Sequence, residues 1–341
     1  MEGIMMRGPK MTAMAVRNTK GEIVTEEFPT TGAKRPAICR WPIIRGIFGY
    51  IDSMTLGYKC LMRSAELSGL EDIVEESPKK KKKREAAEAE NIAKPVAESG
   101  AEQSETAEKT EEEEKLPAWM MTLTMVVSVV LGVLLAVGLF LFLPTFLYDL
   151  VSPYIGFLKG NGNILDSLWK SVFEGILRIV LLVSYMAAIS LMKDIRRTFM
   201  YHGAEHKTIF CYEAGLELNV ENVRAQRRFH PRCGTSFLIL MLLVSIFVSF
   251  FIDPISIAIS GATLPTLLRM VVKILMIPLI VGLGYELIKF AGRHDNWLTR
   301  AISLPGVWLQ HITVFEPTDD MIECAIIALK RVIPDDESDN W

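Results

Sequence analysis

Thirty residues from Trp119 to Tyr148 pass without one charged side chain, the next being Asp149. In lipid a backbone must satisfy its own hydrogen bonds, and about 20 apolar residues in helical form cross the hydrocarbon core. The run therefore reads as a transmembrane helix. Half of the 341 residues are hydrophobic, too many for an ordinary soluble protein that also carries a long charged linker. Three further candidate spans follow at Ile176 to Met192, Phe237 to Ile252 and Ile274 to Ile288. Each is near the lower length limit and gains length from flanking turns. Two of those turns, Trp169 to Arg178 and Leu264 to Lys273, carry Lys170, Glu174, Arg178, Arg269 and Lys273, which are expected to snorkel or pair at one membrane surface.

Loop charge orients the spans. Lys193, Arg196, Arg197, Lys207, Arg224, Arg227, Arg228 and Arg232 lie between the second and third, whereas Asp253 to Thr263 has no Lys or Arg and Asp149 to Asp166 has only Lys159. The positive-inside rule then places the 193–236 loop and both termini in the cytoplasm. No cleavable signal pattern opens the chain, so the internal spans are expected to insert it. All five cysteines, Cys39, Cys60, Cys211, Cys233 and Cys324, fall on the cytoplasmic side and should be reduced thiols. The net charge of −3 says little, because basic and acidic runs are segregated.

The expected fold is mainly α: a polytopic membrane protein with four transmembrane helices, a small N-terminal β-hairpin plus amphipathic helix, and a cytoplasmic α-helical C-terminal region. Residues 1–77 form a cytoplasmic N-terminal α+β domain, 78–117 a disordered charged linker, 118–292 the four-span membrane domain with its 193–236 loop, and 293–341 the C-terminal region. The hairpin pairs Thr12 to Arg17 with Glu22 to Phe28 through Asn18-Thr19-Lys20-Gly21. From Ile43 to Leu67, Ile44, Ile47, Ile51, Met54, Tyr58, Leu61 and Ala65 recur at helical spacing. Arg45, Lys59 and Arg63 fall close together on that wheel, so the helix either contacts anionic lipid of the inner leaflet or packs on the membrane-embedded body. The linker, with Lys79 to Lys83, Arg84 and Glu111 to Glu114, is too poor in apolar residues to fold. Its basic run reads as solvated, with no specific nucleic-acid partner. Trp297 to Leu309 reads as a helix, and a last helix starts near Thr318, capped by that hydroxyl and striped with Ile322, Ala325, Ile326 and Leu329. That stripe needs a partner on the cytoplasmic side, where the N-terminal domain lies.

The chemistry is concentrated between His202 and Cys233, thirty-two residues that hold three of the five histidines. If Tyr201 to Glu213 is helical, His202, Glu205 and His206 share a face. In His230-Pro231-Arg232-Cys233-Gly234, proline and glycine let the chain turn back and aim His230 and Cys233 at one point. Two imidazoles from a helix with an imidazole and a thiolate from a knuckle make a borderline-soft tetrahedral set that favours zinc. Either pair alone is more often surface decoration or an ordinary turn. His-x-x-Glu-His also matches the inverted zincin order.

Four ligands, His202, His206, His230 and Cys233, describe a closed structural site, whereas a catalytic zinc keeps one position open. Glu205 is placed either as a proton shuttle to an activated water or as the partner that orients an imidazole. Glu213 is a further candidate ligand, and His311 and Glu316 could complete a polar site nearby. His294 reads as a surface or interfacial histidine.

Three readings of function remain open at this point. One is a zinc-dependent membrane hydrolase with Glu205 as the catalytic carboxylate. Another is a scaffold or assembly factor whose structural zinc clamps the second span to the third. The third and weaker reading is an oligomeric channel or transporter, since the first and third spans carry no ionisable residue in their middles.

Glu2-Gly3-Ile4-Met5-Met6-Arg7-Gly8-Pro9, Glu205-His206-Lys207-Thr208, His230-Pro231-Arg232-Cys233-Gly234-Thr235-Ser236-Phe237 and Glu316-Pro317-x-Asp319 with Glu323 resemble the YqhQ family of uncharacterised bacterial membrane proteins. The resemblance spans nearly all the chain except 78–117. It implies a multi-span protein of the bacterial cytoplasmic membrane and a predicted metal-dependent enzyme, with its candidate site at His202, His206, His230 and Cys233 and no known substrate. Relatives carry a Gly-Gly-Gln-Ala-type stretch before the residue matching Glu2, which this chain, beginning at Met1, does not show.

Overall fold

The computed structural model describes residues 3–30, 36–67, 118–155, 164–231, 233–294 and 296–334. The 78–117 linker lies outside the described residues. Three antiparallel strands, β1 (Gly3–Arg7), β2 (Met11–Arg17) and β3 (Ile23–Pro29), pair in the order β1-β2-β3. The expected hairpin is β2 with β3, and its turn works as its residues suggest. Gly21 takes φ +85°, and Asn18 Oδ1 accepts from the backbone N–H of Lys20 and of Glu22. β1 adds a strand the hairpin reading lacked. Its five residues are short and methionine-rich, a weak strand signal, yet Ile4 and Met6 alternate inward.

The central strand β2 is covered on both faces. Ala13 and Ala15 join a core with Tyr201, Ala204, Cys211 and the last helix, while Met14 and Val16 pack on the other side with Cys60. That second cover is α1 (Ile44–Leu67). Its N-terminal half rests on α9 (Ile277–Arg293): a Cβ on Gly46 would lie 2.7 Å from the Tyr285 Cβ, so only glycine allows the approach. The three basic residues of α1 are engaged inside the protein. Arg45 forms a two-pronged pair with Glu286, Arg63 bonds Glu26 and Glu66, and the Lys59 ammonium sits 4.9 Å from the Phe28 ring centre. α1 also exposes apolar Ile51, Met54, Tyr58 and Leu61, beside polar Ser53, Thr55 and Glu66.

Helix α2 (Ala118–Val137) is apolar all round, with Val129, Leu131, Leu134 and Leu135 exposed. The chain continues through a π-helical turn, Gly138–Phe142, into α3 (Leu143–Val151). Beyond it run α4 (Ile164–Ser190), α5 (Lys193–Glu213), α6 (Val220–Arg224), α7 (Gly234–Ser260), α8 (Thr266–Leu275), α9, α10 (Trp297–Thr313) and α11 (Asp319–Lys330). Among the described residues three helices are long and apolar enough to cross a membrane, Val126–Tyr154, Ile164–Ser190 and Gly234–Ser260, and there are four candidate spans if α8 and α9, bent by 45°, count as one. The fourth expected span is thus broken.

The second and third spans end elsewhere than expected. The second stops at Ser190: Leu191 and Met192 form a turn, and Met192 is extended at ψ 130° before α5, the helix of the His motif, starts. The third span also runs past Ile252 to Ser260, which brings Asp253 inside it, so an ionisable group does lie within an apolar helix.

At the C-terminus α10 reaches Thr313, and its start is closed by a reciprocal box between Asn296 and Thr299. Thr318 stands at the N-cap of α11 as expected but makes no side-chain capping bond. All four stripe residues, Ile322, Ala325, Ile326 and Leu329, are buried against the sheet and α5. Arg17 on β2 locks the seam, donating to Glu323 Oε2 at 3.0 Å and to the Asp320 carbonyl at 3.1 Å. The five cysteines are free thiols.

Candidate metal centre

The site starts from one close contact. A Cβ on Gly203 would lie 2.0 Å from the Phe315 carbonyl oxygen, so glycine lets α5 press against the strand-like segment after α10. The segment is thereby held beside His202, four residues from His206 on the same face; their ring centres are 4.4 Å apart.

Each imidazole is anchored through one nitrogen. His202 Nδ1 is 3.1 Å from the Thr313 carbonyl oxygen and His206 Nδ1 is 2.6 Å from that of Arg228. A carbonyl only accepts, so Nδ1 carries the proton and donates, which leaves the Nε2 lone pair of each ring available. This is the arrangement that orients and strengthens histidine ligands in metal sites. The third donor is the N-cap residue of α7: Cys233 Sγ accepts from the Thr235 N–H at 3.4 Å and lies 3.1 Å from Thr235 Oγ1. His202 Nε2 is 3.0 Å from that sulfur.

The ligand atoms of His202, His206 and Cys233 all lie within 4.8 Å of one another. Tetrahedral zinc with ordinary Zn–N and Zn–S bonds holds such atoms about 3.6 Å apart, so the three side chains fit a cation after small adjustments. In the cation's absence the same approach is a thiol–imidazole hydrogen bond. Cys233 and His206 are buried and His202 is half-buried. Glu205 sits on the same helix, partly buried. Burial holds its carboxyl above the usual glutamate range, with His202 pulling the other way.

Of the four ligands expected, three come together. The His230 ring packs on Phe210 with centres 4.5 Å apart, and its Nε2 is 3.5 Å from Glu213 Oε2, so those two residues meet each other beside the group. The His206 and His230 ring centres are 5.7 Å apart. The knuckle is positioned by Gln310, fully buried in α10: its Oε1 accepts from the His230 N–H at 2.8 Å and its Nε2 donates to the His230 carbonyl at 2.7 Å and to Ser236 Oγ at 3.2 Å.

The sequence pointed to neighbouring His311 instead. That ring is exposed and stacks on Phe229 at 4.4 Å. The signal that would have found Gln310 is a polar residue in register with Gly306 and Thr313 on an otherwise apolar stripe. Glu316 pairs with buried Lys207, which also donates to the Arg224 carbonyl at 2.9 Å, and with Arg228 at 3.8 Å. It ties the C-terminal segment to α5. His294 is exposed, its Nδ1 3.1 Å from the Phe290 carbonyl.

Residues 41–335 match the family described as "Protein of unknown function (DUF1385)". Over 334 residues the chain is 29% identical to the uncharacterized protein YqhQ of Bacillus subtilis (strain 168), covering 97% of this chain and 90% of that protein. No solved structure matches it. The match to DUF1385 takes in α5, the knuckle and α10, and with it every residue of the cluster: the chain belongs to that family.

Proposed function

We propose that the protein is a zinc-dependent enzyme of the bacterial cytoplasmic membrane, a hydrolase whose site faces the cytoplasm and meets a membrane-presented substrate. The observation that carries this reading is the pair of Nδ1-anchored imidazoles whose free nitrogens converge with the Cys233 sulfur, three donors with an acidic neighbour. A zinc ion held by His202, His206 and Cys233 supplies Lewis acidity to a carbonyl or phosphoryl oxygen and to water. Burial holds the Glu205 carboxyl above the usual glutamate range, which suits a group that takes up a proton more readily than an ordinary glutamate.

Elemental analysis of full-length protein, with growth complementation, tests the reading. One zinc per chain is expected in the wild type and none in His206→Ala, while Glu205→Gln keeps the metal and loses complementation. Wild-type protein without bound metal sinks the reading, and full complementation by Glu205→Gln removes the proton shuttle.

A second reading, a structural zinc clamp in a non-enzymatic scaffold, draws on the origin of the donors: two from α5 and one from the first residues of α7. A clamp joined by His230 as a fourth ligand would make the fold depend on the metal. Chelation that leaves the unfolding temperature unchanged counts against it. A ligand count of three by X-ray absorption favours the enzyme.

A further inference from the structure

Deep among the apolar helices lies a second polar cluster: Glu174 and Arg178 on α4, Asp253 on α7, and Arg269 and Lys273 on α8, each no more than 5% exposed. Glu174 is sixteen residues before Ser190, about 24 Å of helix from the end that leads to the metal centre. The groups are knitted together. Glu174 Oε2 meets Arg178 Nη2 at 3.0 Å and Lys273 Nζ at 2.6 Å, and its Oε1 accepts from Thr145 at 3.0 Å. Arg269 Nη2 reaches Asp253 Oδ2 at 2.8 Å, and its Nη1 lies 3.7 Å from Glu174 Oε1. Arg178 Nε donates to the Phe140 carbonyl at 3.1 Å.

Three observations say that the set is incomplete. Three cations face two carboxylates, which leaves one buried positive charge among the described residues. An uncompensated charge in an apolar interior is among the most unfavourable arrangements a protein can hold. Next, Arg269 Nε and Asp253 Oδ1 are buried with no hydrogen-bond partner, one orphan donor and one orphan acceptor. Finally, two of the three cations ride on α8, a ten-residue helix set at 45° to α9 across Met276. Broken helices inside apolar bundles are where membrane proteins place polar ligands.

We propose that this cluster binds a phosphate group in its singly charged form, admitted when α8 moves about the break at Met276. One negative charge neutralises the set. A guanidinium matches an oxyanion better than a halide. An anionic oxygen accepts from Arg269 Nε, and a P–OH donates to Asp253 Oδ1, so both orphans are satisfied by one group. Inorganic phosphate and the phosphomonoester headgroup of phosphatidic acid share this chemistry.

The test uses full-length protein in neutral detergent at about pH 6, where the singly charged form is well populated. Sodium phosphate is titrated against sodium chloride at equal ionic strength, with thermal unfolding as the readout. A parallel arm compares nanodiscs containing phosphatidic acid with pure phosphatidylcholine nanodiscs. A saturable, one-site stabilisation by phosphate, by phosphatidic acid or by both is expected, and which arm responds names the source.

Lys273→Gln makes the cluster neutral and should weaken the apparent affinity at least about tenfold while the protein stays folded without phosphate. An equal shift with chloride marks plain screening and overturns the proposal, as does no response in either arm. Unchanged phosphate affinity in Lys273→Gln also overturns it. Should that variant not fold, the wild-type protein decides: stabilisation by phosphate or phosphatidic acid well beyond that by chloride upholds the proposal, and equal or absent stabilisation overturns it.

Discussion

At the His202–His206–Cys233 cluster three uncharged or singly ionisable donors converge, each fixed by a backbone partner, whereas in the helix bundle five full charges converge and fix one another. The difference is one of what each can tolerate. Lone pairs that point together cost little when nothing lies between them, because an imidazole or a thiol is close to neutral. Buried charges must be balanced nearly completely, so the surplus of one cation weighs more than any single ligand of the metal centre.

Breaking the charged cluster should therefore give the largest effect. Glu174→Ala strips Arg178 and Lys273 of their shared carboxylate and is expected to cost about 3–5 kcal/mol in denaturation of the detergent-solubilised protein. Adding Lys273→Met should recover part of that loss. A single variant as stable as wild type would mean that the cations are balanced elsewhere.

At the metal centre the backbone frame matters before the ligands do. Gly203→Ala drives a Cβ into the Phe315 carbonyl and must push the 313–317 segment off α5. A loss of about 2–3 kcal/mol is expected, together with metal affinity lowered about 10–100-fold through the lost Thr313 anchor of His202. Wild-type affinity in a folded Gly203→Ala protein would show that the anchor is dispensable. Gln310→Ala strands the His230 N–H and carbonyl inside the protein, and about 1–3 kcal/mol should be lost in chemical denaturation; a loss no greater than that of an exposed substitution would show that the knuckle is held by other means.

The smallest effect is a titration. Burial raises the Glu205 carboxyl in the folded protein, so the unfolded chain ionises at lower pH. In metal-free protein, stability should fall as pH climbs from the ordinary glutamate range to the raised folded value, and level off above it. Glu205→Gln should flatten that slope; a slope of the same size in the variant assigns it to another group.

Much of the architecture is legible locally. Gly21 after Asn18 marks the hairpin, the apolar runs mark the long helices, and the spacing of Ile322, Ala325, Ile326 and Leu329 marks a helix buried on one side. The four-residue step from His202 to His206 is enough to pair the rings. Four features were hidden. β1 lacks a strand-like composition, and the turn at Leu191–Met192 interrupts an apolar stretch with no Pro or Gly to announce it. Lys170, Glu174, Arg178, Arg269 and Lys273 read as flanking charges at a surface. In the fold only Lys170 with Asp149 keeps that character, while the rest turn inward. Gln310 was hidden because its register with Gly306 and Thr313 gains meaning only when that face of α10 is known to be buried.

The sequence by itself determined where the long helices lie, which segments are apolar enough for a bilayer and which two histidines share a face, because those properties depend on backbone geometry repeated every few residues. Only the tertiary structure decided that Cys233 meets His202 across 31 residues, that the Thr313 carbonyl accepts from His202 Nδ1 across 111, and that His230 turns to Glu213. It also decided that Lys273, 99 residues from Glu174, closes a buried ionic cluster one charge out of balance. Such meetings depend on how helices pack, and packing at Gly203 and Gly306 is set by the absence of a side chain against Phe315 and Ser236, partners that no local pattern names.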